Sequence, residues 1–439
     1  MTDKKNVNNI WTVEDEQEHP FSVLEWWAVE TFFRSQEDQK QWCLKVALSQ
    51  WRVKKNNVGS LCNMTLFDQS NNKHYVYYSW VDGSRLQTQK NRFDIRQKDC
   101  SMKGAFPTYE MLFFDPQNDI KINFVQHAES SPRWIGQDVT GGWLPMGLGC
   151  YRYGIIPKNR VTGTMVRNGN PCKIEGVGYF EHVWGDFDYD HPLGNFASLK
   201  KTKATYMKLA LWWLSNHQRK LPRSITFSTE NNPFGYDWVW AVFDNGWSMF
   251  YGNALFWVMD GPAVGILLLT KDGETYTEYA DITFHYKKLA YVKEYDFYYP
   301  TELELIAKKG RETLHLVCTM TTDPREYTRS LHKSGHWRGL AICEAPGKIS
   351  GFYDDGVKKT LISGICKIEP QREITAFGHN TLKIDVLLPP QGAGITLHWD
   401  SHLLEKHGQI CFILAPRPTV RFWCRRINPS MPHTKRGET

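Results

Sequence analysis

Short stretches in which apolar and polar residues alternate recur along the chain, and clusters of turn-forming residues separate them. They lie at residues 42–51, 73–80, 109–114, 121–125, 302–307, 313–318 and 348–353. Alternation with a period of two indicates strands that bury one face, and frequent turns between short strands favour antiparallel pairing. We therefore expect an all-β chain built from antiparallel barrels or sandwiches.

The length of 439 residues suits two domains of ordinary size rather than one core. We expect an N-terminal domain at residues 21–275 and a C-terminal domain at 276–428. The polar residues 1–20 are interpreted as a flexible lead-in, and residues 429–439 as a disordered tail.

One segment departs from the strand pattern, because its apolar residues follow helical spacing. They are Tyr206, Leu209, Ala210, Trp213 and His217, and Pro222 follows them. The pattern predicts a helical insertion at about residues 203–220. Such a helix could cover a cavity, or could only close the end of a barrel.

Aromatic residues make up 14% of the chain, which contains 18 Trp. Trp and Tyr combine a large apolar body with one polar group. This composition fits a cavity for a hydrophobic, oxygenated ligand, and it equally fits a large β core that uses many aromatic residues.

The charge pattern disfavours nucleic acid as a partner. The net charge is +6, with 53 basic and 47 acidic residues mixed along the chain. The sequence shows no zinc-finger spacing and no phosphate-binding Gly loop. It also contains no apolar run long enough to span a membrane, so we expect no stable membrane insertion, and it leaves the oligomeric state open.

None of the ten Cys forms a CxxC pair, and most lie in apolar or alternating stretches. We interpret them as reduced thiols in the core, which predicts a cytoplasmic location. The N-terminus lacks the apolar core of a secretory signal.

The segment Gly176–Gly185 holds the first candidate group. If it is a strand, His182 and Trp184 lie on one face and Tyr179 and Glu181 on the other. A His beside a Trp on an apolar wall could donate a hydrogen bond or a proton to a ligand. It could equally be a structural His that is bonded to a backbone carbonyl.

Two further groups place carboxylates beside aromatic residues. Glu25 and Trp27 share a face near the start of the first strand, where the carboxylate could pair with an imidazole or a cation. In the segment Gly235–Trp240, Asp237 lies between residues of an aromatic face. That Asp could act as a general acid in a dry cavity, or could only cap the hairpin.

The order of these pieces resembles the AttH-like and carotenoid 1,2-hydratase (hydroxyneurosporene synthase) superfamily over about residues 20–255. The residues that carry the resemblance are Glu25-Trp26-Trp27, Tyr151-Arg152-Tyr153, Val161-Thr162-Gly163, Gly176–Gly185 and Trp238-Val239-Trp240. It implies two lipocalin-like domains, with no metal and no organic cofactor. It also implies that His182, Trp184 and a downstream Tyr and Asp form an acid–base set. Tyr236 and Asp237 stand nearest to that pair, although they are adjacent rather than alternate.

The resemblance implies activity on a hydrophobic small molecule. Our first choice from the sequence is a cofactor-independent pericyclase that closes a ring by Diels–Alder or hetero-Diels–Alder chemistry on a polyketide or terpenoid intermediate. A hydratase or isomerase of a polyene or isoprenoid is the second, and a carrier that performs no chemistry is the third. The predicted catalytic residues are His182, Glu25, Tyr236 and Asp237. The predicted substrate-binding residues are Trp27, Tyr151, Tyr153, Trp184, Trp238 and Trp240.

Overall fold

The computed structural model describes residues 11–53, 56–188, 198–216, 224–228, 235–255, 260–262, 264–294, 297–329, 337–375, 381–387, 393–401, 406–414 and 418–426. Most of these residues lie in strands, which pair in antiparallel fashion in three sheets. The all-β, antiparallel class predicted from the alternating stretches is confirmed.

The first sheet contains thirteen strands from the N-terminal part of the chain. They are β1 (Leu24–Ser35), β2 (Gln41–Val53), β3 (Asn56–Asp68), β4 (Lys73–Asp82), β5 (Gln87–Thr88), β6 (Phe93–Gln97), β7 (Cys100–Ala105), β8 (Thr108–Asp115), β9 (Ile120–Ala128), β10 (Arg133–Trp134), β11 (Trp143–Met146), β12 (Gly149–Arg167) and β13 (Asn170–Asp186). Their order is β4-β3-β2-β1-β13-β12-β9-β8-β7-β6-β5, and β10 and β11 both pair with β12. Because β6 also packs against β2 and β3, the sheet curls around one apolar core.

Two smaller groups of strands follow in the chain. Five strands form a separate sheet in the order β14-β26-β27-β28-β29. They are β14 (Ser224–Ser228), β26 (Thr381–Leu387), β27 (Ala393–Ser401), β28 (Lys406–Leu414) and β29 (Pro418–Arg426). The pairing of β14 with β26 brings together segments that are far apart in the sequence.

The remaining sheet contains eleven strands and has its own apolar core. They are β15 (Gly235–Phe243), β16 (Ser248–Leu255), β17 (Asp260–Pro262), β18 (Gly265–Thr270), β19 (Tyr276–Tyr279), β20 (Asp281–Val292), β21 (Phe297–Lys309), β22 (Glu312–Met320), β23 (Arg325–Arg329), β24 (Trp337–Asp354) and β25 (Lys359–Thr375). Their order is β17-β20-β21-β22-β24-β25-β15-β16-β18-β19, and β23 pairs with β24. We call this the second sheet.

The hairpin of β15 and β16 forms as its Asp-Asn-Gly turn predicts, but it joins the second sheet through pairing of β15 with β25. From the sequence, these strands are expected in an N-terminal domain that extends to residue 275. The hairpin signal is local, and so it does not reveal which sheet the two strands join. In the described residues, the strands of the first sheet end at Asp186.

Three helical segments are described: a 3-10 helix (Val13–Glu16), α1 (Gln137–Thr140) and α2 (Leu199–Asn216). The predicted insertion is a helix, which begins four residues earlier than expected; residues 217–220 lie outside the described part. Trp213 is buried and Leu209 packs on the apolar layer between the sheets, whereas Tyr206 is exposed.

The first and second sheets pack against each other through an aromatic-rich apolar layer. Tyr179 from β13 contacts Trp238 and Trp240 from β15, with ring centroids 5.4 and 5.6 Å apart. Since this layer contains residues from both sheets, it fixes one sheet against the other.

The described cysteines fit the prediction of core thiols: seven of the eight are buried, and no disulfide joins any of the eight. In the part of the chain that the structure describes, no helix combines the length and the apolar character needed to cross a bilayer.

Candidate active site

Strand β13 divides the candidate residues between two faces, because its side chains alternate. His182 and Trp184 point into the interior of the first sheet, and Glu181 points toward the layer between the sheets. The partner strand β1 follows the same rule, and Trp27 stands opposite His182. The two faces therefore form two separate polar clusters, one inside the first sheet and one between the sheets.

On the inner face, His182 is fully buried and both of its ring nitrogens face oxygen atoms. Nδ1 lies 2.7 Å from the backbone oxygen of Asp15, and Nε2 lies 3.1 Å from Oε1 of Glu25. Its ring stacks on that of Trp27 at 4.4 Å. Burial lowers the pKa of His182, although the hydrogen bond and charge of Glu25 oppose this shift. With both nitrogens engaged, the imidazole is positioned as a structural group.

Glu25 is a buried acceptor that takes several hydrogen bonds. The backbone N–H of His19 donates to Oε1 at 2.7 Å, and Gln50 and Arg52 donate to Oε2 at 3.1 and 3.3 Å. Burial raises the pKa of Glu25, but the hydrogen bonds and charges of His182 and His19 outweigh it and lower this pKa to about 2. The group is therefore an ionised anchor at neutral pH.

The N-terminal segment of residues 11–22 packs over one open end of the curled first sheet, and we call it the N-terminal plug. The indole N–H of Trp27 donates to the backbone oxygen of Glu16 at 2.8 Å, and Tyr109 donates to the Glu16 carboxylate at 2.6 Å. His19 stacks on Trp184 with ring centroids 3.8 Å apart. Residues 11–20, expected to be part of a flexible lead-in, are packed because their polar groups find partners inside the sheet.

On the opposite face of β13, Glu181 is the centre of a cluster that faces the second sheet. Its Oε2 accepts hydrogen bonds from the hydroxyls of Tyr153 at 2.5 Å and Tyr179 at 2.8 Å, and the two hydroxyls lie 3.1 Å apart. Its Oε1 accepts from the indole N–H of Trp26 at 2.8 Å. Strands β1, β12 and β13 thus converge on one carboxyl group.

The second sheet completes this cluster. The indole N–H of Trp238 donates to the Tyr153 hydroxyl at 2.9 Å, which links β15 to β12. Trp240 donates to the backbone oxygen of Pro157 at 2.7 Å. Tyr151 and Tyr236 pack against the same apolar layer and are partly exposed. We call this arrangement the intersheet site.

The electrostatics of the intersheet site favour neutral groups. Burial raises the pKa of Glu181, and the hydrogen bonds from Tyr153, Trp26 and Tyr179 only partly oppose this. Burial and the nearby carboxyl also raise the pKa of both phenols well above their ordinary range. Glu181 nevertheless keeps a partly exposed surface. A carboxyl whose pKa is raised in this way keeps its proton to a higher pH than an exposed Glu does, and a ligand can still reach it.

Asp237 lies in a third environment, inside the second sheet. It is buried, its carboxylate forms an ion pair with Arg372 at 3.0 Å, and it accepts a hydrogen bond from Tyr286. Its neighbours Tyr236 and Trp238 contribute to the layer between the sheets, so the alternation of β15 separates them from Asp237.

Two groups of three ligand-type residues lie close together among the described residues: His19, Glu25 and His182, and Glu30, Glu344 and Glu369. In the first group, the atoms that could bind a metal already form hydrogen bonds with one another and with Arg52. In the second, Lys45 and Lys367 stand where a cation would bind. The two groups are therefore built as hydrogen-bonded and ion-paired clusters.

Solved structures align with this chain over most of its length. A protein described as an AttH, from Nitrosomonas europaea, is 14% identical, with a TM-score of 0.56, and the alignment covers 82% of this chain and 96% of that one. The chain has the lipocalin-like fold of AttH. Kievitone hydratase from Nectria haematococca shares this fold, with 11% identity, a TM-score of 0.54 and coverage of 86% and 96%. No family model and no curated protein matches the sequence.

In this AttH-type fold, the residues predicted from the sequence fall into three places. His182, Glu25, Trp27 and Trp184 lie under the N-terminal plug, and Asp237 lies inside the second sheet. The intersheet site brings together five predicted residues: Tyr151, Tyr153, Tyr236, Trp238 and Trp240.

From the sequence, Glu181 and Tyr179 are expected only to lie on the face of the strand opposite His182, and neither is predicted as a site residue. A signal for both was present, because they alternate with His182 on the same strand. The long range of the contact hid it: Trp26 and Glu181 are 155 residues apart in the chain.

Proposed function

We propose that the protein is an enzyme that transfers a proton to a hydrophobic, unsaturated small molecule at the intersheet site, and so adds water to a double bond or moves one. The observation that carries this proposal is the Glu181 carboxyl, whose pKa is raised by burial and which stays partly exposed beside an aromatic layer. Among the three carboxyls considered, it alone combines these properties: Glu25 is held ionised, and Asp237 is paired with Arg372.

The proposed reaction begins with protonated Glu181. Its O–H proton passes to one carbon of the double bond, and the π electron pair forms the new C–H bond, leaving a cation on the other carbon. Water adds its oxygen to that cation and loses a proton to the Glu181 carboxylate, which restores the acid. Loss of a neighbouring C–H proton instead gives an isomer. An acid and water suffice for either outcome, so the proposal needs no cofactor.

The residues around Glu181 have supporting roles in this proposal. Tyr153 and Tyr179 stay protonated and stabilise the carboxylate after it has given up its proton, because both donate to its Oε2. The indole ring of Trp238 holds Tyr153 in place by a hydrogen bond, and its face can stabilise a nearby carbocation. Tyr151 and Tyr236 supply apolar surface and a hydroxyl each for binding the substrate.

A pericyclase, the first choice from the sequence, is the second candidate. The observation that favours it is the row of neutral donors formed by Tyr153, Tyr179 and Trp238. A Tyr hydroxyl that exchanges its bond to Glu181 for one to a substrate carbonyl could hold a substrate whose two ends react with each other. Each donor could lower the barrier by about 3 kcal/mol, in addition to the gain from bringing the reacting ends together.

Product analysis with candidate substrates separates these functions. The full-length protein would be incubated with a panel of isoprenoid polyenes and of polyketide dienes, and the products analysed by mass spectrometry. A product heavier by one water supports a hydratase. A product of unchanged mass supports an isomerase if its number of rings is unchanged, and a pericyclase if it contains a new ring. Tight binding with an unchanged ligand would overturn both proposals and favour a carrier. Kievitone hydratase has this fold and is named as a hydratase. Its name supports proton transfer as the first candidate and a pericyclase as the second.

A further inference from the structure

Helix α2 has an outward face that is strongly apolar for a protein surface. Met207, Leu211 and Leu214 lie three or four residues apart and are 55%, 61% and 46% exposed. At 100° per residue they form one stripe along the helix. The opposite side of the helix, which carries Trp213, packs against the protein. The apolar stripe is therefore available to a partner.

The charged residues of this helix all have one sign. Helix α2 contains four lysines, at positions 200, 201, 203 and 208, and no Asp or Glu. Lys200 and Lys203 lie on the same side as the stripe, and Lys208 lies beside it. A helix that combines exposed Leu and Met with Lys alone is complementary to a surface with negative headgroups and an apolar interior.

We propose that the outward face of α2 binds the surface of an anionic membrane. The helix would lie parallel to the membrane, with Met207, Leu211 and Leu214 in the outer acyl region and Lys200, Lys203 and Lys208 among the anionic headgroups; Lys201 instead lies over the ring of Trp143. This is peripheral binding, and it does not require any segment to cross the bilayer.

A second copy of this chain fits the face less well. A symmetric dimer through α2 would bring the lysines of two copies together, and like charges across an interface are unfavourable. A membrane supplies the opposite charge.

The position of α2 gives the binding a use that rests on the proposed function. The inner side of the helix packs through Leu209 and Trp212 on the apolar layer that contains the intersheet site, and Tyr206 donates a hydrogen bond to the backbone oxygen of Gly147 at 3.1 Å. A hydrophobic substrate is concentrated in membranes, so a helix bound there would bring the site to its source.

Vesicle co-sedimentation with full-length protein tests the proposal without any substrate, so its outcome is separate from that of the proposed chemistry. We expect binding to vesicles of phosphatidylcholine mixed with phosphatidylserine, weaker binding to phosphatidylcholine alone, and loss of binding at high salt. The variant with Leu211→Gln and Leu214→Gln should lower the partition coefficient by about tenfold or more. Lys200→Gln with Lys203→Gln should remove the preference for phosphatidylserine.

The matched control is Leu361→Gln in β25, because Leu361 is 81% exposed and lies outside α2. It should bind vesicles as the wild type does, and the melting temperatures of all variants report whether they are folded. The proposal would be overturned if the wild type bound to neither kind of vesicle. It would also be overturned if the variant with Leu211→Gln and Leu214→Gln bound as strongly as the wild type. A dimer in solution that this variant dissociates would assign the face to a second copy and would also overturn it.

Discussion

Two carboxyl groups on neighbouring strands, the buried Glu25 and the partly exposed Glu181, have opposite properties because their partners differ. Glu25 faces imidazole, amide and guanidinium groups, which stabilise its charge. Glu181 faces two phenols and an indole, which donate hydrogen bonds but carry no positive charge. Burial therefore dominates at Glu181 and is outweighed at Glu25, and so the first can act as an acid while the second fixes structure.

Glu25→Gln should destabilise the protein by about 1–3 kcal/mol, because the buried donors of His182, Gln50 and Arg52 lose a charged acceptor, although Arg52 keeps its bond to Glu18. Urea unfolding at neutral pH measures this loss. Glu175→Gln is the control, since its ion pair with Arg34 is exposed and should contribute less than about 1 kcal/mol. Equal stability of the two variants would show that Glu25 is not an anchor.

The same carboxylate predicts how stability depends on acid. The pKa of Glu25 is lowered in the folded protein to about 2, so its contribution is complete above the ordinary value of 4.5 and is lost as the pH falls toward 2. Wild-type protein should lose stability through this window, and Glu25→Gln should lose less. Parallel acid curves for the two proteins would contradict the assignment.

Among the secondary-structure elements, strand β13 shows what alternation can and cannot predict. The sequence places His182 and Trp184 on one face and Glu181 on the other, and the register with β1 confirms this. It does not reveal which face is open to a ligand, because that depends on the N-terminal plug. The plug is polar and has no strand pattern, so nothing in its local sequence indicates that it fills the mouth of a sheet.

Deleting residues 1–20 should destabilise the first sheet. The buried donors of Trp27 and Tyr109 would lose their acceptors on Glu16, at a cost of about 1–3 kcal/mol each. Thermal unfolding and binding of a hydrophobic dye would measure the effect. Deleting residues 1–10 alone leaves these contacts in place and should destabilise the sheet less. Equal melting temperatures and equal dye binding for the two deletion variants would show that the plug does not stabilise the first sheet.

Over the whole molecule, an ionic cluster buried between the two sheets supplements the apolar layer. Lys45 of β2 bonds to Glu344 of β24 at 2.9 Å and also to Glu369 of β25. Lys367 of β25 bonds to Glu344 at 2.9 Å and to Glu30 of β1 at 3.3 Å. Because each bond from Lys45 crosses from one sheet to the other, the cluster specifies how the sheets are aligned.

Sequence patterns predict antiparallel sheets but not this cluster. Lys45 and Glu369 are 324 residues apart, and charges in alternating strands usually face water. The same limit explains why the sequence does not reveal that the hairpin of β15 and β16 joins the second sheet through β25. Period and turn chemistry are local, whereas the intersheet site and the cluster result from contacts between distant segments.

Glu30→Gln should change the dependence of stability on pH. Burial raises the pKa of Glu30 to about 8, although Lys367 and Lys45 oppose the shift. Its contribution is therefore complete below the ordinary value of 4.5 and is lost as the pH rises through about 8. Between pH 6 and pH 9 the wild-type melting temperature should fall by a few degrees more than that of Glu30→Gln. An identical fall in both proteins would show that Glu30 does not titrate there.

The central claim is that Glu181 gives a proton to a carbon atom of the substrate. Once a converted substrate is identified, the reaction should be run in D2O, and the product analysed for deuterium bound to carbon. We expect such deuterium in the wild-type product. The rate of Glu181→Gln should fall by at least about a hundredfold, and the rate of the control Glu175→Gln should equal that of the wild type. A product without deuterium on carbon, or a Glu181→Gln variant with full activity, would contradict it.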